Sequence, residues 1–599
     1  MSNNSDISTG ENGLYVGATE NMVHRVHTNL TDTLESHSDV KQKPSEKGSS
    51  TAINIPSTLD EKAEAYSDSQ GEGEEEKKKP GKIALFYQKH LPWFHALQVL
   101  IVTGFVAAAL ALQVPKGHDQ ENLILGLVYA FFILYRFFDY VPVSYVTNAW
   151  MACVRFVGAP IMRLPKHIRS IIYGIFVLAV IVCTTFSLPE SEHSTRLQRL
   201  VALFGVIVFL AALYITSTNR KAVNWNTICS SILIQFLLAL FVFRTSVGND
   251  IFKWASGFAQ TYLSKAHFGT AFVFGDVVAD SGIFAVAVFP TLIFFAATVQ
   301  ILYYYGALQW LLQKSAVFFV NLLQVSGAES IVAVASPFLG QGENALLIKP
   351  FLPYLTNAEM HQVLCSGFAT ISGSVLYGYI AMGVDGQALL TSCVMSIPCA
   401  IAVSKLRVPE DDVPVTARNI VVPPSDEKPA NALHAAGFGA ATGVNISLSM
   451  MANLISLLAL LYAVNAFLTW LGNFVYIEEL TLQLITGYIF VPIAWLMGID
   501  KNDLVIVGRL LATKIWANEF VAYQELASTF KEVLTYRSYI ITTYALCGFA
   551  NLGSIGMQIG VIGTLAPNRS ADIARLAISA MICGAFSTWI SAAIAGLLI

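Results

Sequence analysis

Amide and carboxylate side chains gather in one otherwise apolar segment of this chain, residues 336–350. Gln341, Glu343 and Asn344 stand there within a few positions of one another. Amides and carboxylates together suit a neutral ligand with several hydrogen-bond donors and acceptors, whereas an anion calls for arginine or a helix N-terminus. The competing interpretation is a re-entrant loop whose polar side chains only cap a helix. The segment therefore predicts a hydrogen-bonding site for a neutral ligand.

A second polar group lies in the stretch 503–526, which is typical of a helix embedded in a membrane protein. Lys514 and Asn518 are four residues apart and share a helical face, and Glu519 follows directly. A charged side chain at the centre of a bilayer costs about 2.5–3.5 kcal/mol, so such residues normally face a cavity or a partner. The alternative is a helix outside the membrane with a solvated face. We favour a polar site within the membrane.

Further along, Phe549, Asn551 and Ser554 supply an aromatic ring, an amide and a hydroxyl. A carboxylate such as Glu519, together with amide and hydroxyl groups, is suited to binding the vicinal hydroxyls of a sugar. An aromatic face can stack on a flat ring, although Phe549 alone is equally typical of a packed core. An aromatic ring for stacking, polar groups that bind the hydroxyls of a sugar and polar groups that bind the edge of a base together indicate a nucleoside ligand.

The composition identifies the class of protein that must hold these residues. Of 599 residues, 55% are hydrophobic and only 13% are charged, against roughly 25% charged residues in soluble domains. The chain is therefore predicted to be an all-α polytopic membrane protein. The net charge of −4 gives no reason to expect nucleic acid as a partner. The eight cysteines lie in or beside apolar runs without metal-ligand spacing, so no metal site is predicted.

Three classes of membrane protein were weighed against these residues. An intramembrane hydrolase needs Ser/His/Asp, Cys/His or metal-ligand spacing, and none appears within the apolar segments. No GxxxxGK[ST] motif is present, which argues against ATP-driven pumping. A channel would let its ligand equilibrate across the membrane without concentrating it. We expect a secondary active transporter, no enzymatic activity and no cofactor.

The chain divides into three parts by composition. Residues 1–82 are polar and are predicted to form a disordered tail. The lysines that close this tail, beside the first apolar segment, place the N-terminus in the cytoplasm by the positive-inside rule. Residues 83–220 contain apolar segments without readable motifs and are predicted to be accessory transmembrane helices. Residues 221–599 are predicted to form the transporter core.

Segments of spanning length need about 20 apolar residues each. We predict membrane spans near 93–113, 123–140, 169–187, 199–217, 227–243, 284–306, 359–382, 386–404, 447–471 and 574–598. Interfacial helices are expected at 249–275, 308–325 and 428–443. Four apolar segments are interrupted by Gly, Pro, Ser or charge, at 328–350, 479–500, 503–527 and 539–562, and such breaks are tolerated where the backbone is buried in protein or lines a cavity. Those near 328–350 and 479–500 are predicted to form two re-entrant hairpins.

An internal repeat supports a two-fold organisation of the core. The string that begins at Cys365, CSGFATISGSV, is echoed by CGFANLGSI from Cys547, and an interrupted acidic segment precedes each copy. Paired interrupted segments at matching positions of two halves indicate the midplane site of a transporter. Coincidence among small residues is the alternative, because such strings are common in packed membrane helices.

Three strings together resemble the concentrative nucleoside transporter family. They are Gln341-Gly-Glu343 with LLIKPF after it, KxxxNEFVAY over 514–523, and YALCGFANLGS over 544–554. The serine-rich tail is similar to that of a fungal member, and the chain as a whole resembles a proton-coupled one because of Ser336. The resemblance implies a homotrimer in the plasma membrane, with a scaffold domain and an elevator-like transport domain built from inverted repeats with two re-entrant hairpins and broken helices. It implies nucleosides and the lipid bilayer as partners.

The resemblance also implies roles for single residues. The substrate-binding positions would be Gln341 and Glu343 at the base, Glu519, Asn551 and Ser554 at the ribose, Phe549 and Val375 in the base pocket, and Gly340 and Gly342 at the hairpin turn. Sodium-coupled relatives carry Asn where Ser336 stands. The other ion-site equivalents would be Leu339, Thr370 and Ile371.

The departure at Ser336 makes proton coupling our expectation, with sodium coupling as the alternative. The serine side chain at 336 is shorter than asparagine, so one of the oxygen ligands of Na⁺ would be shifted in position. The expected proton carriers are Glu343 first and Glu519 second, since burial favours a protonated carboxyl group. Gly340 leaves room for a two-ring base, and we therefore expect purine nucleosides and uridine as substrates. Imported nucleoside and proton would move together in the loaded transport domain.

Overall fold

The structure is a computed structural model. It describes residues 91–113, 115, 119–140, 166–190, 194–281, 283–341, 343–412, 414 and 429–599. The predicted tail, residues 1–82, lies outside the described residues. The chain divides into two compact units at residue 150. Helices α1 (Leu91–Gln113) and α2 (Asp119–Tyr140) belong to the first unit, and all later helices belong to the second.

The second unit begins with ten helices, of which α11 and α12 are the arms of the first interrupted segment. They are α3 (Lys166–Ser187), α4 (Arg196–Ile215), α5 (Trp225–Arg244), α6 (Ser246–Leu263), α7 (Ala266–Phe274), α8 (Asp276–Ala279), α9 (Phe284–Tyr304), α10 (Ala307–Leu323), α11 (Gly327–Ala335) and α12 (Glu343–Leu346). A 3₁₀ turn over Lys349–Tyr354 follows.

Ten more helices complete the unit. They are α13 (Asn357–Ala369), α14 (Gly373–Ala381), α15 (Gly386–Arg407), α16 (Ala432–Asn473), α17 (Leu482–Leu496), α18 (Leu504–Trp516), α19 (Glu519–Ser528), α20 (Tyr536–Leu546), α21 (Leu552–Leu565) and α22 (Ser570–Leu598). Eight described helices are long and apolar enough to cross a membrane.

The order of these helices repeats once along the chain. A long helix, a shorter helix, an interrupted pair, a broken helix and a closing span occur as α9, α10, α11/α12, α13/α14 and α15. The same sequence of elements returns as α16, α17, α18/α19, α20/α21 and α22. The two leading helices, α9 and α16, pack against each other, and α13 of the first copy packs against α22 of the second. The predicted two-fold organisation is therefore present in the helix order.

The predicted span 359–382 is not continuous. Helix α13 ends at Ala369, and α14 starts at Gly373 after three residues without helical structure. Thr370 takes extended dihedral angles, φ −126° and ψ 163°, and its carbonyl accepts a hydrogen bond from the backbone N–H of Phe549 at 3.3 Å. The span is broken because its backbone bonds to the other half of the repeat instead of to its own helix.

Residues 428–443 were expected to form an interfacial helix separate from the span 447–471. From residue 432 onward they instead belong to α16, one helix of 42 residues. Asn431 caps it by accepting from the N–H of His434 at 2.9 Å. A Cβ on Gly439 would meet Ala296 O at 2.6 Å. The small residues of this stretch thus serve close packing of α16 on α9.

The stretch 503–526 is interrupted, as predicted, and its break lies between Lys514 and Asn518. Helix α18 ends at Trp516, and Ala517 leaves the helical region with ψ −91°. Asn518 caps α19, because its side-chain oxygen accepts from the N–H of Val521 at 3.0 Å, as asparagine at an N-cap does. Lys514 and Asn518 therefore do not share one helical face.

The second hairpin was expected near 479–500, and this expectation is wrong. That range holds the uninterrupted helix α17, in which Pro492 is accommodated. The interrupted pair at the matching place in the repeat is α18/α19, with its break at Ala517. The first pair, α11 and α12, lies within the expected range 328–350. The expectation relied on the proline in the range 479–500, whereas the break between α18 and α19 contains neither proline nor glycine.

Candidate functional site

Two broken helices meet at the centre of the second unit. The break between α20 and α21 contains Gly548, whose φ is +146°, a region that favours glycine. A Cβ there would also stand 2.9 Å from Phe368 O. Directly after it, Phe549 donates its N–H to Thr370 O in the other broken helix. The two breaks are thus held side by side, which leaves the ends of α14 and α21 free to line one cavity.

Glu519 lies at the start of α19 and is only 2% exposed. Its carboxylate accepts two hydrogen bonds, one at Oε1 from Tyr379 OH at 3.2 Å and one at Oε2 from Asn551 Nδ2 at 2.8 Å. Asn551 in turn caps α21, with its Oδ1 accepting from the N–H of Ser554 at 2.8 Å. A chain of bonds therefore fixes Glu519, Asn551 and Ser554 as one group.

The first interrupted segment reaches the same group through Gln341. Its Nε2 donates to Ser554 Oγ at 3.1 Å and approaches Met557 Sδ at 3.9 Å. Residues more than 200 positions apart in the chain are joined here. The two tips of the interrupted pairs, Gln341 on one side and Glu519 on the other, thus face a common space.

A cavity of about 730 Å³ occupies that space. Seven of the substrate-binding residues predicted from the sequence line it: Gly340, Gln341, Val375, Glu519, Phe549, Asn551 and Ser554. Its opposite wall is a face of α16 that carries Thr442, Asn445 and Ser449. A carboxylate, several amides, serine and threonine hydroxyls and an aromatic ring can together bind a neutral polar molecule with a flat ring.

The two remaining substrate-binding residues predicted from the sequence are Gly342 and Glu343. Gly342 lies outside the described residues. Glu343 is the first residue of α12, and its side chain is likewise outside the described part, so its role remains a prediction.

The four ion-site equivalents are buried at the two chain breaks. Ser336 and Leu339 follow α11, and Thr370 and Ile371 separate α13 from α14. Ser336 Oγ donates to Val332 O at 2.7 Å and accepts from Asn344 Nδ2 at 2.9 Å. None of the four is among the described residues that line the cavity.

Asn344 was grouped with Gln341 and Glu343 in the ligand-binding turn, and the structure gives it another place. It is 1% exposed and bonds to Ser336. Its Oδ1 is buried and has no hydrogen-bond partner within the described part of the chain. The amide group of Asn344 therefore stands beside the hydroxyl of Ser336, with its nitrogen bonded to that hydroxyl and its oxygen unused.

Lys514 is fully buried, and the two groups to which its ammonium group donates do not line the cavity. Its Nζ donates to Ala545 O at 2.9 Å and to Thr588 Oγ1 at 3.3 Å. It therefore fastens the end of α20 to α22, just before the break that positions Phe549. We infer a structural task for Lys514.

Tyr379 is a residue that the sequence reasoning missed. It is fully buried, and it is one of the two side chains that donate to Glu519. A tyrosine in an apolar segment is typical of a core, and no spacing pattern linked it to Glu519, 140 residues away. Thr442, Asn445 and Ser449 were missed as well: Thr442 lay in the predicted interfacial helix 428–443, Ser449 lay in the predicted span 447–471, and Asn445 lay between the two.

Comparison with known proteins identifies the family. A family profile described as "Na+ dependent nucleoside transporter C-terminus" matches residues 388–596, and its N-terminal counterpart matches residues 204–277. A third, described as "Nucleoside recognition", matches residues 285–385. Solute carrier family 28 member 3 of Eptatretus stoutii is 35% identical over 86% of this chain and 77% of its own. The chain belongs to the concentrative nucleoside transporter family.

Other relatives agree with this membership. Solute carrier family 28 member 3 of Mus musculus is 34% identical over 86% of this chain and 74% of its own. Sodium/nucleoside cotransporter 1 of Rattus norvegicus is 38% identical over 68% of this chain and 65% of its own. A solved structure of CNTnw in an inward-facing substrate-bound state is 35% identical, covers 67% of this chain and 97% of that one, and has a TM-score of 0.63.

Family membership confirms several expectations from the sequence. The chain is an all-helical, multi-pass membrane protein and a nucleoside symporter, and it is a transporter rather than an enzyme. The intramembrane hydrolase interpretation is therefore excluded. Two of the family profiles and sodium/nucleoside cotransporter 1 name sodium, which favours the alternative over our expectation of proton coupling.

Proposed function

We propose that this chain imports nucleosides by binding them in the cavity between Gln341 and Glu519. The observation that carries the proposal is the hydrogen-bonded group of Glu519, Asn551 and Ser554, which faces Gln341 across the cavity. A carboxylate with two fixed donors has lone pairs left to accept the hydroxyl protons of a ribose. The hydroxyl of Ser554 adds a further donor and acceptor at the same edge.

The base would occupy the part of the cavity bounded by Phe549, Val375 and Gly340. Phe549 is 8% exposed and Val375 is 4% exposed, so both present mainly the surface that faces the cavity. Gln341 supplies an amide for the base edge, and we assign Glu343 to the same edge. The absence of a side chain at Gly340 supports acceptance of a two-ring base, so we propose purine nucleosides and uridine as substrates.

The direct test of this site uses two substitutions, one expected to impair binding of the ribose and the other to alter recognition of the base. Glu519→Gln keeps the shape but weakens acceptance of hydroxyl protons, so we expect uptake of ribonucleosides to fall far more than uptake of 3′-deoxynucleosides. Gln341→Met removes the base-edge amide, so we expect a change in base preference. The assay is initial uptake of radiolabelled nucleosides, normalised to the amount of chain at the cell surface. Equal losses for all nucleosides in both variants would contradict the proposal.

Sodium is the first candidate for the coupling ion. The descriptions of the family and of several relatives name it. Asn344 supports it independently, because its Nδ2 bonds to Ser336 and its buried Oδ1 has no partner in the described part of the chain. Na⁺ prefers several oxygen ligands, and an amide oxygen from Asn344 could replace the one that Ser336 does not supply.

The proton is the second candidate for the coupling ion, and the hydrogen bonds of the Ser336 hydroxyl favour it. This hydroxyl already donates to one group and accepts from another, so little of it is left for an ion. In that case Glu343 and then Glu519 would carry the proton. Uptake measured with sodium or choline, in acidic and alkaline medium, separates the two ions. Sodium coupling predicts that choline abolishes uptake and that Asn344→Leu does the same, whereas proton coupling predicts uptake that rises in acid and ignores the cation.

We further propose an elevator-type cycle in a homotrimer of the plasma membrane. The repeated helix order supports a scaffold containing the packed pair α9 and α16, with the interrupted and broken helices forming the mobile transport domain. Residues 83–220 would be accessory helices, residues 221–599 the core and residues 1–82 a cytoplasmic tail. Cross-linking of the purified chain in detergent tests the trimer, and a single band at the monomer mass would contradict it.

A further inference from the structure

Gln558 is a buried residue of α21 that none of the roles above uses. Its side chain is 1% exposed, and neither its amide nitrogen nor its amide oxygen has a hydrogen-bond partner within the part of the chain that the structure describes. A buried amide without partners is costly, so such a group in a folded protein needs an explanation.

The position of Gln558 places it beside the residue that faces the base. On α21 it lies four positions after Ser554 and thus shares the helical face of that residue, and Met557 is its neighbour in the chain. Both of those side chains contact Gln341 Nε2. A Cβ on Gly367 of α13 would clash with Gln558 Nε2 and would stand 3.5 Å from Gln341 Cβ. The two glutamines therefore both lie against Gly367, a position at which α13 has no side chain.

The unsatisfied atoms of the two glutamines are complementary. Gln341 uses its Nε2 to donate to Ser554 Oγ, while its Oε1 is buried without a partner among the described residues. Gln558 offers an unused amide N–H next to it. A modest rotation of either side chain would join this donor to that acceptor, and both unpaired groups would be satisfied at once.

We propose that Gln558 is a specificity-determining positioning residue that donates its amide N–H to Gln341 Oε1 and thereby directs the Gln341 NH₂ group at the nucleobase. This inference rests on the proposed function, in which Gln341 reads the base edge. A free glutamine amide can present either its oxygen or its nitrogen to a ligand. With its oxygen held by Gln558, Gln341 can present only a donor.

A donor at this point selects bases that carry an oxygen there. Uridine and cytidine have the same shape but carry an oxygen and an amino group at the same exocyclic position, and inosine and adenosine differ in the same way. A Gln341 NH₂ group favours uridine over cytidine and inosine over adenosine, because an amino group facing it leaves two donors opposed. The ratio of uptake efficiencies within each pair therefore reports the orientation of Gln341, independently of the overall rate.

The experiment measures kcat/KM for the four nucleosides in cells that lack their own nucleoside uptake and express the full chain. Gln558→Met keeps the volume and removes the hydrogen bond, so we expect the uridine-to-cytidine and inosine-to-adenosine ratios to fall about fivefold. Gln558→Glu offers an acceptor instead, which turns the Gln341 oxygen to the base, and we expect these ratios to fall further. Gly367→Ala displaces the Gln558 amide and should act like Gln558→Met.

Gln362→Met is the matched control. Gln362 is also a buried glutamine with an unpaired amide oxygen among the described residues, but its Nε2 donates to Ser366 within α13. We expect the control to leave both ratios unchanged. Unchanged ratios in Gln558→Met and Gly367→Ala, or equal losses for all four nucleosides, would overturn the proposal. If the unaltered chain takes up none of the four, the proposed function itself fails instead.

Discussion

The hydrogen bond from Tyr379 to Glu519 gives the sharpest prediction about the ribose site. Tyr379→Phe removes only the hydroxyl group. The ring keeps its packing, because its centroid lies 4.6 Å from that of Phe520 and 4.8 Å from that of Tyr523. What changes is that Glu519 Oε1 loses the 3.2 Å bond that orients it, while the bond from Asn551 to Oε2 remains.

The magnitude follows from the type of bond. A hydrogen bond to a charged group contributes about 1.5–3 kcal/mol, and the 3.2 Å length argues for the lower end. A loss of about 1.4 kcal/mol corresponds to a tenfold change in affinity. We therefore expect KM for uridine to rise about tenfold, with little change for 3′-deoxyuridine, which lacks one of the hydroxyl groups that Glu519 would bind.

Tyr523→Phe is the matched control for this prediction. Tyr523 is also fully buried, packs against Tyr379 and donates its hydroxyl to a backbone carbonyl, Thr543 O, at 2.8 Å. Its loss costs stability without touching Glu519. Uptake of uridine and 3′-deoxyuridine is measured for both variants at equal surface abundance. If Tyr379→Phe behaves like Tyr523→Phe, or weakens both nucleosides equally, Tyr379 does not act through Glu519.

Three further predictions concern stability and the site. Gly205→Ala should sharply reduce the amount of folded chain, because its Cβ would clash with Leu496 O, whereas Gly556→Ala meets open space and should not lower the thermal midpoint in detergent. Lys514→Met should destabilise the chain by about 1–3 kcal/mol, since two buried acceptors lose their donor; an unchanged midpoint would refute its structural task. Asn551→Ala should abolish saturable uptake and cost about 1 kcal/mol through the lost helix cap, measured by uptake and thermal unfolding together.

The polar residues of the cavity could be predicted from the sequence because their chemistry contrasts with their surroundings. Glu519, Asn551 and Gln341 stand in segments that are otherwise apolar, and a bilayer makes such side chains costly. Tyr379 could not be predicted in this way, because an apolar segment is an ordinary place for a tyrosine. Only the folded backbone brings its hydroxyl to Glu519.

The helix breaks were harder to predict than the polar residues. Proline in α17 indicated an interruption near 479–500, yet the helix runs through Pro492. At the true break the chain has Ala517, which favours helices, and only Asn518 marks the new N-terminus. The break is fixed by tertiary contacts that hold Glu519 against Asn551, and such contacts override local propensity.

Concentrative uptake by the purified chain tests the central claim most directly. The chain is reconstituted into liposomes, an inward gradient of sodium or of protons is imposed, and internal uridine is measured over time. The account predicts that uridine rises above its external concentration under at least one gradient and returns to equality when an ionophore collapses it, and that Glu519→Gln does not accumulate uridine. Uridine that only equilibrates, under either gradient and with no difference between the chain and Glu519→Gln, would contradict it.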